Sequence, residues 1–84
     1  MTYKVEVERK AAKALERIND PDYSRIKTAI LSLANEPRPY GYIKLKGREA
    51  YRITIGTYRI IYEIVDNKLI VNVVTVGHRK DVYR

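Results

Sequence analysis

The hydrophobic residues of this chain recur at two different spacings, and this division restricts its fold more than any other feature. Between residues 9 and 33 they follow a helical period. After Tyr42 they alternate with polar residues, as in β-strands that bury one face. The helical stripe consists of Ala11, Ala12, Leu15, Ile18, Tyr23, Ile26, Ala29, Ile30 and Leu33. Segments of these two kinds predict an α+β fold in which helices cover one face of an antiparallel sheet.

The first half of the chain is predicted to form a strand followed by an α-hairpin. Residues 2–8 (TYKVEVE) alternate, which indicates a half-buried strand, and helix-forming residues follow. Asp20 suits the N-cap of a second helix and Pro21 its first turn. Pro37 and Pro39 cannot continue that helix, so we expect it to end before them.

The second half is predicted to be a meander of antiparallel strands. The candidate strands are residues 42–47 (a short one), 51–55, 58–65 and 68–76. Gly56 and Thr57 form a two-residue hairpin connection, and Asp66 and Asn67 form the next turn. The segment 68–76 (KLIVNVVTV) is apolar almost throughout, which predicts a central strand that ends at Gly77.

Alternation divides the predicted sheet into two faces of different character. The apolar face contains Tyr51, Ile53, Ile55, Tyr58, Ile60, Tyr62 and Ile64, and we expect it to pack against the helices. Arg52, Thr54, Arg59 and Glu63 then lie on the uncovered face, beside Lys44, Lys46 and Arg48. These charges either form a positive patch that binds a ligand or are ordinary solvent-facing residues of a sheet covered on one side.

Size and composition limit the possible classes of protein. Eighty-four residues predict one domain, residues 1–84, and the absence of cysteine excludes disulfides. A single histidine cannot form a closed zinc site. Neither a signal peptide nor a membrane span is recognisable, so we expect a soluble intracellular protein without membrane contact. The net charge is +7, of which residues 37–84 contribute +6. This asymmetry suits a polyanion or an acidic partner, although a general effect on solubility explains it equally well.

The chemistry that these residues support is narrow. The chain has no Gly-rich phosphate loop, no convincing pair of carboxylates and no Cys–His pair. What remains is a set of arginines, lysines and tyrosines with one histidine, His78, which suits binding a phosphodiester and stabilising charge that develops on it. RNA cleavage by the ribose 2′-hydroxyl also requires two proton transfers, and histidine is the side chain best suited to them near neutral pH.

Three sequence segments, in this order, resemble a known family. They are KLKG (44–47), the hairpin YRITIGTYRIIYEI (51–64) and the ending VGHRKDVY (76–83). Together with the N-terminal strand and α-hairpin, they are similar to the RelE branch of the RelE/ParE toxin superfamily over essentially the whole chain. The resemblance implies a cytoplasmic toxin of a type II toxin–antitoxin system that cuts mRNA in the ribosomal A site. It implies attack by the 2′-hydroxyl without metal or other cofactor, neutralisation by a RelB-like antitoxin, and contact with operator DNA only through the antitoxin complex.

The resemblance also implies roles for individual residues. Arg59 matches the arginine that holds the scissile phosphate, Arg79 the arginine near the leaving oxygen, and Tyr83 the tyrosine that stacks on or orients a nucleotide. The family's first hairpin strand carries two lysines, one of them implicated as the base, and these positions are Arg52 and Thr54 here. Arg52 can stabilise charge, but it remains protonated and is not suited to act as a base. The basic residues predicted to contact RNA are Lys44, Lys46, Arg48 and Lys80.

Alternatives remain at the level of residues and of function. Either His78 is the general base, or the protein has no strong base and proton transfer is weaker and shared with the ribosome. The alternative to a catalytic role for His78 is that it is a strand-end histidine that only packs or forms hydrogen bonds. The alternative for Tyr83 is that it closes the edge of the sheet. The alternative functions are a ParE-type toxin that acts on DNA gyrase, and a RelE relative that has lost cleavage but still binds antitoxin and operator.

Overall fold

The computed structural model describes residues 2–80 of the chain, and within them the elements follow the predicted order. The helices are α1 (Arg9–Glu16) and α2 (Asp22–Ser32). The strands are β1 (Lys4–Val7), β2 (Ile43–Lys44), β3 (Tyr51–Ile55), β4 (Tyr58–Val65) and β5 (Ile70–His78), with a 3₁₀ turn at Asp66–Lys68.

All the strands within residues 2–80 join one sheet in the order β1-β5-β4-β3-β2. Strands β2 to β5 form an antiparallel meander, and β1 runs parallel to β5 at the opposite edge from β2. The predicted α+β fold is therefore confirmed. The sequence pattern did not indicate that β1 pairs with β5, because that contact joins residues more than sixty positions apart along the chain.

The hydrophobic core lies between the two helices and one face of the sheet. Its buried members are Ala11, Ile26, Ile30 and Leu33 from the helical region and Ile53, Ile60, Tyr62, Val71, Val73 and Val76 from the sheet. Half-buried residues at its margin include Tyr51, Ile55, Tyr58 and Ile64. The alternating apolar residues of β3 and β4 thus occupy the helix-covered face, as predicted.

Strand β5 contains a β-bulge that changes which face its last residues occupy. Ile61 lies opposite Thr75 whereas the next residue, Tyr62, lies opposite Val73, so Val74 is an extra residue in β5. One extra residue reverses the alternation of side chains beyond it. For this reason Val73 and Val76, three positions apart, both point into the core.

The predicted limits of β5 were wrong at both ends. The strand begins at Ile70 rather than at residue 68, because the 3₁₀ turn occupies Asp66–Lys68 and Leu69 has a left-handed backbone with φ of 53°. The strand also continues through Gly77, which lies opposite Arg59 in the β4 ladder. A glycine weakens a strand, but β4 extends far enough to pair with this one, so the ladder does not end there.

The proline-containing loop after α2 is fastened to the sheet by aromatic and polar contacts. The buried Tyr62 hydroxyl donates a 2.7 Å hydrogen bond to the Pro37 carbonyl, and burial raises the pKa of Tyr62 to about 12. The Tyr51 ring lies 5.9 Å from that of Tyr62 and 6.0 Å from that of Tyr42. The Arg38 guanidinium lies 5.4 Å from the centre of the Tyr51 ring, a cation–π distance. Tyrosine rings therefore join this loop to the core, of which Tyr62 is a fully buried member.

Neither helix within residues 2–80 has the length and apolar character needed to cross a membrane.

Candidate functional site

The face of the sheet that the helices leave uncovered, here called the open face, carries the predicted arginines. Its members on β3 and β4 are Arg52, Thr54, Arg59, Ile61 and Glu63, with Asn72 and Thr75 on β5. The two-residue turn at Gly56 and Thr57 fixes the register of β3 against β4, and Gly56 adopts the positive φ of 61° that this turn needs. The hairpin sequence therefore determines which side chains face away from the helices.

Arg52 and Arg59 are diagonal neighbours on the open face. Arg52 lies directly opposite Ile61, and Arg59 is two residues before Ile61 on the same strand. Diagonal positions of an antiparallel pair are about 7–8 Å apart, within reach of long side chains. Both arginines are half-buried, and their neighbour Ile61 is 2% exposed. The structure thus brings together two of the predicted site residues on an ordered part of the sheet.

Arg79 follows the end of β5 close to the backbone of Arg59. Its N–H donates a 2.8 Å hydrogen bond to the Thr57 carbonyl in the hairpin turn. Gly77, two residues before Arg79, lies directly opposite Arg59 and contributes no side chain. Arg79 is exposed, as is Lys80 after it. The backbone of Arg79, a third arginine, therefore lies at the same end of the sheet as Arg59.

His78 does not lie with these arginines. It is directly opposite Tyr58, and the two rings meet edge to face with centroids 5.8 Å apart. Since Tyr58 packs at the margin of the core, His78 occupies the helix-covered side of the sheet. Strict alternation from Val73 would have placed His78 on the same face as Arg59, but the bulge at Val74 reverses it. The His78 ring and the Arg59 side chain therefore lie on opposite sides of the sheet.

Of the basic residues predicted beside the arginines, Lys44 lies on the other side of the sheet. Lys44 lies opposite Tyr51, hence on the helix-covered side, and its Nζ is 3.7 Å from Oε1 of the exposed Glu49. Ile43 is the β2 residue that shares the open face with Arg52. Lys44 is therefore not on the same face as the arginines, because the β2–β3 register places Ile43, and not Lys44, opposite Arg52. Lys46 and Arg48 are exposed in the turn that follows β2.

The open face also has an acidic margin, of which the sequence pattern indicated only Glu63. Asn72 Nδ2 donates to Glu8 Oε2 at 2.7 Å and, more weakly, to Glu63 Oε1 at 3.5 Å. Glu6 lies opposite Asn72 across the β1–β5 pair. Only the pairing of β1 with β5 brings these carboxylates together, so local pattern carried no signal for Glu6 or Glu8. The open face is basic toward β3 and the hairpin turn and acidic toward β1, which favours a polyanion on the basic side.

Two other predictions concern the C-terminus and metal binding. Tyr83 lies outside the described residues, so its stacking role stays a prediction. Among residues 2–80 there is no cluster of three His, Cys, Asp or Glu side chains that could hold a metal ion.

The arrangement on the open face suits recognition of a phosphodiester. Arginine presents a planar fork of N–H donors that matches two phosphate oxygens, and it keeps its charge at any physiological pH. Half-burial limits the number of conformations that Arg52 and Arg59 must give up when they bind. Donors held in place before reaction are those that stabilise developing charge most effectively.

A strand, an α-hairpin and a meander in this order, with arginines on the open face, define a RelE-like toxin fold. The chain superposes on the RelE–RelB complex structure from Pyrococcus horikoshii with a TM-score of 0.84 and 28% identity, covering 98% of this chain and 100% of that chain. It superposes on the free-state structure of a mutant of the E. coli toxin RelE with a TM-score of 0.80 and 25% identity, covering 98% and 88% of the two chains.

Sequence comparison agrees with this classification. The chain is 26% identical to the mRNA interferase toxin RelE of E. coli K12 over 95% of this chain and 86% of that protein. Residues 5–83 match the family described as "ParE toxin of type II toxin-antitoxin system, parDE". The chain belongs to this ParE toxin family of type II toxin–antitoxin systems, and the relatives named above are RelE toxins.

Proposed function

We propose that this chain is a single-domain cytoplasmic mRNA interferase, an endoribonuclease that cuts mRNA in the ribosomal A site. The observation that carries the proposal is the pair of half-buried, diagonally placed arginines, Arg52 and Arg59, on the open face. The 26% identical E. coli relative is an mRNA interferase, which supports the same activity here.

The proposed reaction is an intramolecular displacement at phosphorus. The ribose 2′-oxygen forms a bond to phosphorus, the bond from phosphorus to the 5′-oxygen breaks, and the products carry a 2′,3′-cyclic phosphate and a 5′-hydroxyl. The 2′-hydroxyl loses one proton and the leaving 5′-oxygen gains one. Arg59 and Arg52 neutralise the non-bridging oxygens as charge builds on them, and Arg79 stabilises the leaving oxygen. No step in this scheme requires a metal ion.

Proton transfer is the part of the reaction for which the open face is least equipped. Arg52 and Arg59 remain protonated and cannot act as bases. Glu63 is a diagonal neighbour of Arg52, but it is four residues from Arg59, about 13 Å along the strand, and it accepts a weak hydrogen bond from Asn72. We therefore propose that the protein supplies charge and orientation, while the ribosome aligns the mRNA and assists proton transfer.

The proposed binding partners follow from the same family. The P. horikoshii and Methanococcus jannaschii relatives are seen in complexes of RelE with RelB. We propose that a RelB-like antitoxin neutralises this chain as well, and that operator DNA is bound only through that complex. Lys46, Arg48 and Lys80 are exposed cations that we propose contact RNA around the arginine pair.

The test is primer extension on a translated message in a reconstituted translation system. Wild-type protein should give discrete cuts within codons in the A site, and a naked copy of the same message should be cut slowly or not at all. Arg59→Ala should lower the cleavage rate by about 10²–10³-fold, the usual cost of removing one donor to a developing charge. Addition of a RelB-like antitoxin should suppress the cuts.

The matched control is Arg25→Ala, which removes an equal charge from an exposed position on α2. It should cut like wild type. Intact message together with inhibited gyrase supercoiling would show a ParE-type toxin instead. Intact message with preserved antitoxin binding would show a relative that has lost cleavage. Efficient cleavage of naked RNA would refute the proposed dependence on the ribosome.

A further inference from the structure

The ring of His78 makes two contacts on the side of the sheet that faces away from Arg59. One is the edge-to-face contact with Tyr58 at 5.8 Å, which holds the ring at the margin of the core. The other is a hydrogen bond in which the Lys80 N–H donates to His78 Nδ1 at 3.3 Å.

These two contacts involve the residues immediately before and after Arg79 in the sequence. The residue before it is anchored by its ring, and the residue after it is bonded back to that ring. Arg79 itself donates its N–H to the Thr57 carbonyl at 2.8 Å. The backbone of Arg79 is thus held on both sides and at its centre, although its side chain is exposed and free to meet a substrate.

We propose that His78 is a positioning residue for Arg79, which it holds beside the Arg59 end of the open face, and is not the general base. This inference rests on the proposed function for its kinetic consequences, but not for its structural ones. A base must reach the 2′-hydroxyl of an RNA that lies on the open face, whereas the His78 ring lies on the other side of the sheet. A positioning role requires only the contacts described above.

The experiment compares His78→Asn with His78→Leu. Asparagine places an oxygen close to the position of Nδ1, so it can accept the Lys80 N–H, but it does not titrate. Leucine fills space against Tyr58 without any acceptor. In the ribosome-dependent assay, His78→Asn should keep cleavage within about threefold of wild type with an unchanged pH–rate profile. His78→Leu should lose at least about tenfold, as expected when a catalytic group is misplaced.

A double-mutant cycle shows whether the effect passes through Arg79. If His78 acts by placing Arg79, His78→Leu should have almost no further effect in an Arg79→Ala background. Full additivity of the two losses would overturn the proposal. A His78→Asn protein that cuts much more slowly than wild type, and whose pH–rate profile has lost its ascending limb, would also overturn it, because that result identifies a base.

Amide hydrogen exchange tests the positioning without reference to RNA. The amides of Arg79 and Lys80 should exchange at least about tenfold faster in His78→Leu than in wild type and His78→Asn. Equal rates in all three proteins would refute the positioning role. If the wild-type protein cuts no message, the proposed function fails, and the exchange measurement still decides whether His78 holds this turn.

Discussion

At the scale of single residues, Ile61 gives the open face its apolar floor. Its side chain points away from the helices, yet the residue is only 2% exposed. Arg52 lies directly opposite it, and Arg59 is two residues away on the same strand. An arginine stem can cover an apolar neighbour while its charged head stays in contact with solvent. We infer that Ile61 helps to order the two arginines by giving their stems a surface to pack on.

Truncation of Ile61 should therefore destabilise the protein although no helix packs on it. Ile61→Ala should lower the free energy of unfolding by roughly 2–5 kcal/mol, the range for buried isoleucine. Thr54→Ala, at an exposed position of the same face, should change it by less than about 0.5 kcal/mol. Urea denaturation measures both. Equal effects of the two substitutions would show that the open face does not bury Ile61 in solution.

The same residues show why alternation predicted one part of the site and not another. A two-residue turn fixes the register of β3 and β4, so parity alone places Arg52 and Arg59 on one face. The alternation of side chains did not predict the position of His78, because the bulge at Val74 arises from the pairing of β4 with β5. The local sequence of β5, which is apolar on both sides of the bulge, does not reveal it.

At the scale of elements, the turn between β4 and β5 joins three separate parts of the chain. Asp66 accepts hydrogen bonds from Arg38 NH2 at 2.9 Å and from the Tyr3 hydroxyl at 2.6 Å. Hydrogen bonding from Arg38, and next from Tyr3, holds the pKa of Asp66 below its usual value. One carboxylate thus links the loop after α2, the residue before β1 and the turn. The sequence marked Asp66 as a turn residue but could not indicate these distant contacts.

Replacing Asp66 should change how stability depends on pH. A carboxyl whose pKa is lowered by folding stabilises the protein above its unfolded pKa, about 4, and loses that contribution as pH falls through its folded pKa. Asp66→Asn should be less stable than wild type at pH 7, and the two should converge in acid. Denaturation from pH 7 to pH 2.5 tests this, with the exposed Glu16→Gln as control. A difference that stays constant down to the lowest pH would contradict the role of the charge.

At the scale of the whole molecule, charge is distributed unevenly over a chain with net charge +7. Arg59 lies next to the hairpin turn with Arg52 diagonal to it, whereas Glu63, farther from that turn on β4, shares Asn72 as a hydrogen-bond donor with Glu8, which follows β1. A nucleic acid that crosses the open face should gain attraction only on the hairpin side. We therefore expect a short, directional contact with RNA and not a path across the entire sheet.

The salt dependence of RNA binding tests this expectation. For single-stranded nucleic acid, the logarithm of the binding constant falls linearly with the logarithm of the salt concentration, and the magnitude of this slope decreases by about 0.7 for each phosphate contact that is lost. Arg59→Ala should reduce the slope by about that amount for an oligoribonucleotide whose reactive 2′-hydroxyl is replaced by hydrogen. Arg25→Ala on α2, on the other side of the sheet, should leave the slope unchanged, as fluorescence anisotropy at several salt concentrations would show. Equal slope changes for the two variants would mean that RNA is attracted by net charge alone and does not lie on the open face.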